Sequence, residues 1–141
     1  MPSVNVQEQV AASADRVWQV LADFGGVEKW SDPRFIKSCT CDGNEPGAVR
    51  TITLADGAVI RERLEAVDHD ARRFSYCIVG TCPLPVANYL ATAKVTELPS
   101  GGCQVDWQST FEALGSTDEA EKMIRGVYTG GVAGIRKLLG V

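Results

Sequence analysis

Arg50 and Glu62 are the two residues of this 141-residue chain whose types and spacing could support chemistry. They lie in two segments, 48–54 and 58–67, that flank the short sequence Ala55-Asp56-Gly57. A glycine readily adopts the left-handed conformation that closes a three-residue hairpin loop. We therefore expect a hairpin in the register that places Arg50 directly opposite Glu62.

This register also places Ile52 opposite Ile60, with Leu64 on the same face, so the charged pair lies among apolar side chains. A cross-strand salt bridge at the rim of a sheet is common and contributes about 0–1 kcal/mol. Burial of two charges in the middle of an apolar face costs several kcal/mol per ion, which favours a functional use. The arginine could hold a carboxylate or another oxyanion, and the glutamate could accept or return a proton. Tyr89 could donate a hydrogen bond from a neighbouring strand.

The overall charge excludes several classes of function. The formal net charge is -4, and basic residues occur only as short pairs, so we expect neither nucleic acid nor an anionic membrane surface as a partner. The first residues lack the pattern of a secretion signal, and no stretch approaches the roughly 20 apolar residues of a membrane span. We expect a cytoplasmic protein without a membrane anchor.

The five cysteines and the single histidine do not form a metal-binding pattern. No CxxC pair occurs, and His69 lies between two aspartates in a predicted solvated turn. We expect reduced cysteines, no metal and no cofactor.

Hydrophobic periodicity and turn residues predict one α+β domain over residues 1–141. A first strand ends near Val10 and is followed by a helix over about 14–24 and a further helical turn at 27–30. Six strands follow, at about 35–41, 48–54, 58–67, 73–79, 87–97 and 103–113, and a long helix covers 117–139. Short links between the strands predict a curved antiparallel sheet, wrapped around the long C-terminal helix.

The predicted interior leaves volume for a small molecule. In the last hairpin, the predicted register places Tyr89 opposite Phe111, Ala91 opposite Ser109 and Ala93 opposite Trp107. We expect seven small residues on the inner face of the sheet, namely Ala48, Ala58, Ala66, Ala87, Ala91, Ala93 and Ser109.

The long helix has a predicted apolar stripe and four internal glycines, each of which costs up to about 1 kcal/mol relative to alanine. Either the glycines let the helix pack closely against the sheet, or they leave space for a ligand. The stripe consists of Ala120, Met123, Ile124, Val127, Gly131, Ile135 and Leu138, and the glycines are Gly126, Gly130, Gly131 and Gly134.

We therefore predict an internal cavity for a small molecule between the sheet and the long helix. Aromatic residues of the sheet are either core residues or part of the cavity wall. The candidate ligand-binding residues are Tyr89, Phe35, Ile52, Ile60, Tyr76, Trp107, Phe111 and Val127.

Several motifs resemble a known superfamily. The element order resembles the helix-grip fold of the START and polyketide-cyclase-like superfamily, which includes the birch-pollen-allergen-like proteins. "FIKSC" at 35–39, "ERLE" at 62–65, "DHDARRFSY" at 68–76 and "NY" at 88–89 resemble the plant branch of abscisic-acid receptors and lachrymatory-factor synthase. By that resemblance, Arg50 and Glu62 match the arginine and glutamate that the synthase uses, and Tyr89 matches a pocket tyrosine.

Departures from the branch argue against abscisic-acid sensing and its phosphatase partner. The receptors have a carboxylate-binding lysine two residues before the phenylalanine of "FIKSC", and Pro33 occupies this place. "LADGA" and "TCPLP" stand where the receptors have their Ser-Gly-Leu-Pro and His-Arg-Leu signatures.

Two functions remain open. The first is a carrier or sensor that encloses a small hydrophobic molecule such as a lipid, polyketide or aromatic metabolite. The second is a cyclase, dehydratase or isomerase with Glu62 as general acid/base and Arg50 as oxyanion holder.

Overall fold

Serine residues begin both α-helices of the computed structural model, which describes residues 2–141. Ser13 Oγ accepts a hydrogen bond from the Arg16 amide, and Ser116 Oγ accepts one from the Glu119 amide. The elements are β1 (Ser3–Val10), α1 (Ala14–Ala22), a 3-10 helix (Val27–Lys29), β2 (Ile36–Cys41), β3 (Val49–Leu54), β4 (Val59–Asp68), β5 (Arg73–Val79), β6 (Val86–Glu97), β7 (Cys103–Ala113) and α2 (Thr117–Leu139).

The seven strands form one antiparallel sheet in the order β1-β7-β6-β5-β4-β3-β2. Consecutive strands from β2 to β7 are neighbours, and β1 pairs with β7. The core lies between one face of this sheet and the helices. The predicted α+β fold, with an antiparallel sheet, a long C-terminal helix and two short helices after the first strand, is confirmed.

The β3–β4 hairpin has the predicted register. Arg50 lies opposite Glu62 and Ile52 lies opposite Ile60. Gly57 closes the loop with a φ of +91°, a conformation that favours glycine.

Two irregularities in the strand register change the predicted inner face. A shift between Leu64 and Ala66 in β4 turns Ala66 outward, so the expectation that it faces the interior is wrong. A second shift lies between Ala87 and Leu90 in β6, where Asn88 has a φ of +52°. The direct pairing of Tyr89 with Phe111 is therefore interrupted.

Helix α1 ends at Ala22, two residues earlier than predicted. The Phe24 amide accordingly donates to Asn44 Oδ1 at 2.9 Å, outside any helix. This early end also leaves the Phe24 carbonyl free to accept a hydrogen bond from another part of the chain.

The buried face of α2 is rotated from the predicted stripe. Tyr128 and Val132 are fully buried, whereas the predicted stripe residues Met123 and Leu138 are exposed. The buried residues are Ala120, Ile124, Tyr128, Gly131, Val132 and Ile135.

The glycines of α2 serve both purposes that the sequence left open. A Cβ at Gly134 would lie 1.6 Å from the Trp30 carbonyl oxygen, and one at Gly131 would lie 3.1 Å from the Trp30 ring. A Cβ at Gly126 or Gly130 would meet no heavy atom within 4 Å. The first two glycines permit close packing, and the other two border open space.

Arginines of α2 cover the free edge of β1. Arg125 donates to the carbonyl oxygen of Asn5 at 3.1 Å, and Arg136 donates to that of Gln9. Arg136 also forms a salt bridge of 3.2 Å with Glu8. These contacts attach the helix to the edge of the sheet.

Candidate functional site

A cavity of about 340 Å³ lies between the sheet, the segment that contains the 3-10 helix, and α2. Apolar side chains form most of its wall, and Asp32, Arg50 and Glu62 are its charged residues within residues 2–141. The lining consists of Val27, Trp30, Ser31, Asp32, Phe35, Ile36, Arg50, Ile52, Leu54, Ile60, Glu62, Tyr76, Ile78, Leu84, Tyr89, Trp107, Met123, Ile124, Gly126, Val127, Gly130 and Gly131.

The exposed lining residues mark the mouth of the cavity. Phe35 is 38% exposed at the start of β2, and Met123 is 41% exposed on α2. Gly126 and Gly130 lie on the same side of the helix and are also exposed. The cavity therefore opens to solvent between α2 and the segment that precedes β2.

The sequence predicted that the small residues of the sheet line the cavity, but none of these seven residues does. Ala91, Ala93 and Ser109 are buried but lie outside the cavity lining. The indole of Trp107 and the ring of Tyr128 stack with centroids 5.0 Å apart and fill that part of the interior. The hollow lies instead beside Ile52, Ile60 and the glycines of α2.

Arg50 and Glu62 form a buried ion pair in the cavity wall. Their side chains are 5% and 11% exposed. Arg50 Nε lies 2.8 Å and Nη2 2.7 Å from the same oxygen, Oε1 of Glu62. One charge-assisted hydrogen bond, from Nε, and a close ionic contact from Nη2 therefore hold one carboxylate oxygen.

Protein groups occupy most of the remaining surface of Arg50. Nη1 donates to the Phe24 carbonyl oxygen at 3.0 Å, which is the group that the early end of α1 leaves free. The guanidinium carbon lies 4.1 Å from the ring centroid of Phe24 and 4.9 Å from that of Tyr76. Burial lowers the pKa of Arg50, but the Glu62 carboxylate and Tyr76 outweigh it, so the pKa lies above its ordinary value. Arg50 is held in place as the fixed counterion of Glu62.

The second oxygen of Glu62 is accessible. No group within residues 2–141 donates a hydrogen bond to Oε2. The atom is also not sealed inside the protein, in contrast to the unpartnered Oε2 of Glu8. Since Glu62 lines the cavity, Oε2 is the acceptor that the ion pair offers to a ligand.

Tyrosine hydroxyls lie beside the ion pair. Trp107 Nε1 donates to Tyr76 Oη at 3.0 Å, and the hydroxyls of Tyr89 and Tyr128 are hydrogen-bonded to each other. Burial, reinforced by the Glu62 carboxylate, raises the pKa of Tyr76 to about 12. Burial also raises the pKa values of Tyr89 and Tyr128 far above their ordinary value. All three phenols therefore keep their protons at neutral pH.

Comparison with known proteins places the chain in a family. Residues 1–140 match the family model described as "Polyketide cyclase / dehydrase and lipid transport". The chain belongs to this family. The family covers the same helix-grip fold that the sequence motifs resembled.

Other members of the fold come from plants and bacteria. The chain is 31% identical to MLP-like protein 423 of Arabidopsis thaliana over 121 residues, covering 77% of this chain and 75% of the relative. It is 28% identical to the abscisic acid receptor PYL2 of the same plant over 130 residues, covering 84% of this chain and 66% of the receptor. The solved structure of the protein XoxI from Bacillus cereus superposes with a TM-score of 0.86 at 30% identity, covering 97% of this chain and 94% of that one.

Within this family fold, the cavity brings together the predicted site residues with one exception. Phe111 is fully buried but lies behind Tyr89, with ring centroids 6.4 Å apart, and does not line the cavity. The residues that do line it are Arg50, Glu62, Tyr89, Phe35, Ile52, Ile60, Tyr76, Trp107 and Val127.

Sequence reasoning missed three residues that shape the site. Trp30 lines the cavity, Phe24 supplies the carbonyl that holds Arg50, and Tyr128 pairs with Tyr89. Only Tyr128 had a sequence signal, since it lies four residues from both Ile124 and Val132 on one helix face.

The histidine and the five cysteines lie outside the cavity lining. His69 is exposed and accepts a hydrogen bond at Nδ1 from Trp18 Nε1 at 3.2 Å. All five cysteines are free thiols, and burial raises the pKa of Cys39. Within residues 2–141, no group of three His, Cys, Asp or Glu side chains is arranged to hold a metal ion. Nor does either helix of the described chain have the length and apolar character needed to cross a membrane.

Proposed function

We propose that this protein binds one small, mostly apolar molecule in the cavity between the sheet and α2, as a carrier or sensor. The cavity itself is the observation that supports this proposal. It combines an apolar wall with a few polar groups at fixed positions, which is the typical character of a small-molecule site.

The size of the cavity limits the ligand. A cavity of roughly 150 Å³ accommodates one benzene molecule. The cavity of about 340 Å³ in this protein is a little more than twice as large. A ligand of about two fused rings, or an aliphatic molecule of similar volume, fits this space, whereas a lipid with two long chains does not.

The relatives support binding of a small molecule but not of abscisic acid itself. PYL2 is named as a receptor for this hormone. In this chain, Pro33 occupies the place of the lysine that the receptor branch uses for the carboxylate. Arg50, the cationic residue of the cavity lining, is already neutralised by Glu62.

Isothermal titration calorimetry with 2-naphthol tests whether the cavity is the binding site. Val127 lines the cavity, and Val127→Phe adds most of a benzene ring to this wall. We expect a stoichiometry of one for the unmodified protein and an affinity loss of at least about tenfold, or 1.4 kcal/mol, for the variant.

Val59→Phe is the matched control, because Val59 is exposed on β4 and lies outside the cavity lining. This variant should bind 2-naphthol as the unmodified protein does. Equal binding by the Val127 and Val59 variants would place the ligand elsewhere and contradict the proposal. Native mass spectrometry of the purified protein, with extraction of any bound molecule, would identify a natural ligand.

An enzyme of the cyclase, dehydratase or isomerase class is a second candidate, favoured by the accessible Oε2 of Glu62. A carboxylate with one oxygen fixed and the other free is suited to transfer a proton to or from a bound molecule. Arg50 would act mainly by positioning Glu62, since Nε already donates to Glu62, Nη1 donates to the Phe24 carbonyl, and the Phe24 ring covers one face. If the extracted ligand is converted by the protein, Glu62→Gln should still bind it, with an affinity loss of about tenfold at most, and lose the conversion.

A further inference from the structure

The hydrogen-bonding groups of the cavity wall define the polar end of the ligand. This inference rests on the proposed function, because it concerns the same cavity. Its basis is a count of the donors and acceptors that the protein leaves unused at one corner, where Glu62, Tyr76 and Tyr89 meet.

Glu62 supplies an acceptor. The hydrogen bond from Arg50 Nε and the ionic contact from Nη2 both go to Oε1, and Oε2 has no donor among residues 2–141. An ionised carboxylate oxygen can only accept hydrogen bonds. A ligand that binds against Oε2 must therefore provide an N–H or O–H group.

The tyrosines supply donors. Tyr76 Oη accepts from Trp107 Nε1, and the Tyr89 hydroxyl also lies within hydrogen-bonding reach of Tyr76 Oη. The contacts of Tyr89 with Tyr128 and with Tyr76 use at most two of the three hydroxyl protons, so at least one proton is left for a ligand. Since buried phenols need partners, the ligand must also present an acceptor oxygen or nitrogen to this corner.

The charges exclude an anionic ligand. Arg50 is fully paired with Glu62, and Asp32, the other charged lining residue, forms a salt bridge with Arg34 at 2.9 Å. The lining therefore has no spare positive charge for a carboxylate, and Glu62 Oε2 would repel one.

We infer that the ligand has a neutral polar end that both donates and accepts hydrogen bonds, such as the hydroxyl of a phenol or an alcohol. This group donates to Glu62 Oε2 and accepts from a tyrosine hydroxyl. The remainder of the ligand is apolar and lies toward Ile52, Ile60 and α2.

Four compounds of one ring system test this inference by calorimetry on the unmodified protein. They are 2-naphthol, 2-methylnaphthalene with the same shape but no polar atom, 2-methoxynaphthalene with an acceptor only, and 2-naphthoate with a carboxylate. We expect 2-naphthol to bind at least about tenfold, or 1.4 kcal/mol, more tightly than each of the others.

Glu62→Gln tests the acceptor directly. The amide oxygen can still accept from Arg50, which turns the NH₂ group toward the cavity as a donor. The preference for 2-naphthol over 2-methoxynaphthalene should then fall to near unity. Glu65→Gln is the matched control, because Glu65 lies on the outer face of the same strand and pairs with Arg63 at 2.8 Å. This control should keep the full preference.

The outcomes separate the inference from the proposed function. Equal affinity for the three neutral compounds, or tightest binding of 2-naphthoate, would overturn the inference and leave a ligand-binding cavity in place. An unchanged preference in Glu62→Gln would also overturn it. No binding of any of the four compounds would contradict the proposed function as well.

Discussion

The glycines in two parts of helix α2, before and after Gly131, have different surroundings. In the part that follows Gly131, Gly134 lies against the backbone of Trp30, and Arg136 bonds to β1. In the part that precedes Gly131, Gly126 and Gly130 border the cavity with no atom near the place of a Cβ, and Arg125 bonds to β1. Gly131 lies at the junction, where it contacts both Trp30 and Trp107.

This difference explains how a small domain keeps a hollow interior. Close packing around Gly134 and the bonds of Arg125 and Arg136 to the edge of the sheet fix the helix, so its face at Gly126 and Gly130 does not have to fill the space beneath it. The same residue type has two roles within one helix: glycine permits contact at one end and leaves volume at the other.

Gly134→Ala should cause the largest loss in the free energy of unfolding. The new methyl carbon would lie 1.6 Å from a backbone oxygen, which cannot move away as a flexible side chain can. We expect a loss of at least about 5 kcal/mol in the free energy of unfolding, or failure to fold, as judged by urea denaturation and circular dichroism. A loss below about 1 kcal/mol would show that the second half of α2 is not tightly packed.

Removal of one partner of the cavity ion pair should cause the next largest loss in the free energy of unfolding. Glu62→Leu leaves Arg50 buried and unpaired, at an expected cost of about 3–5 kcal/mol. Glu8→Leu is the control in the packed region, because the Glu8–Arg136 pair is partly exposed. Its loss should lower the free energy of unfolding by about 1 kcal/mol or less.

The double variant Arg50→Met, Glu62→Leu distinguishes stability from function. Replacement of a buried ion pair by apolar residues is often neutral or stabilising, so most of the lost stability should return. Binding of 2-naphthol should not return with it. A double variant as unstable as the single one would show that the pair is retained for the fold.

Gly126→Ala and Gly130→Ala should each raise the free energy of unfolding by a small amount. A methyl group at either position meets open space, and alanine is favoured over glycine in a helix by up to about 1 kcal/mol. We expect each variant to be more stable than the parent in urea denaturation. Destabilisation by either alanine would mean that the helix is packed as closely at Gly126 and Gly130 as it is at Gly134.

Local sequence rules were sufficient for the β3–β4 hairpin. The loop ending in Gly57 and the alternation of apolar residues define one register, and this register places Arg50 opposite Glu62. The inward position of the pair was therefore predictable. Its detailed contacts were not, because the Phe24 carbonyl is available only through the early end of α1.

Features that depend on tertiary packing escaped prediction. The register shifts at Leu64–Ala66 and at Ala87–Leu90 each insert a residue that no simple alternation reveals. In α2, glycines provide no side chain to define the buried face, so the stripe was drawn through Met123 and Leu138 and missed Tyr128. The hollow between sheet and helix was predicted with both the small residues of the sheet and the glycines of the helix as sources of volume; Gly126, Gly130 and Gly131 line it, and Ala91, Ala93 and Ser109 do not.

The arginines that cover β1 have a consequence for self-association. An uncovered outer strand offers free backbone groups to any second chain, and this is a common route to fibrous aggregates. Arg125 and Arg136 occupy the carbonyl oxygens of Asn5 and Gln9 and surround this border with positive charge. The same helix that borders the cavity thus also obstructs strand addition at the β1 edge of the sheet.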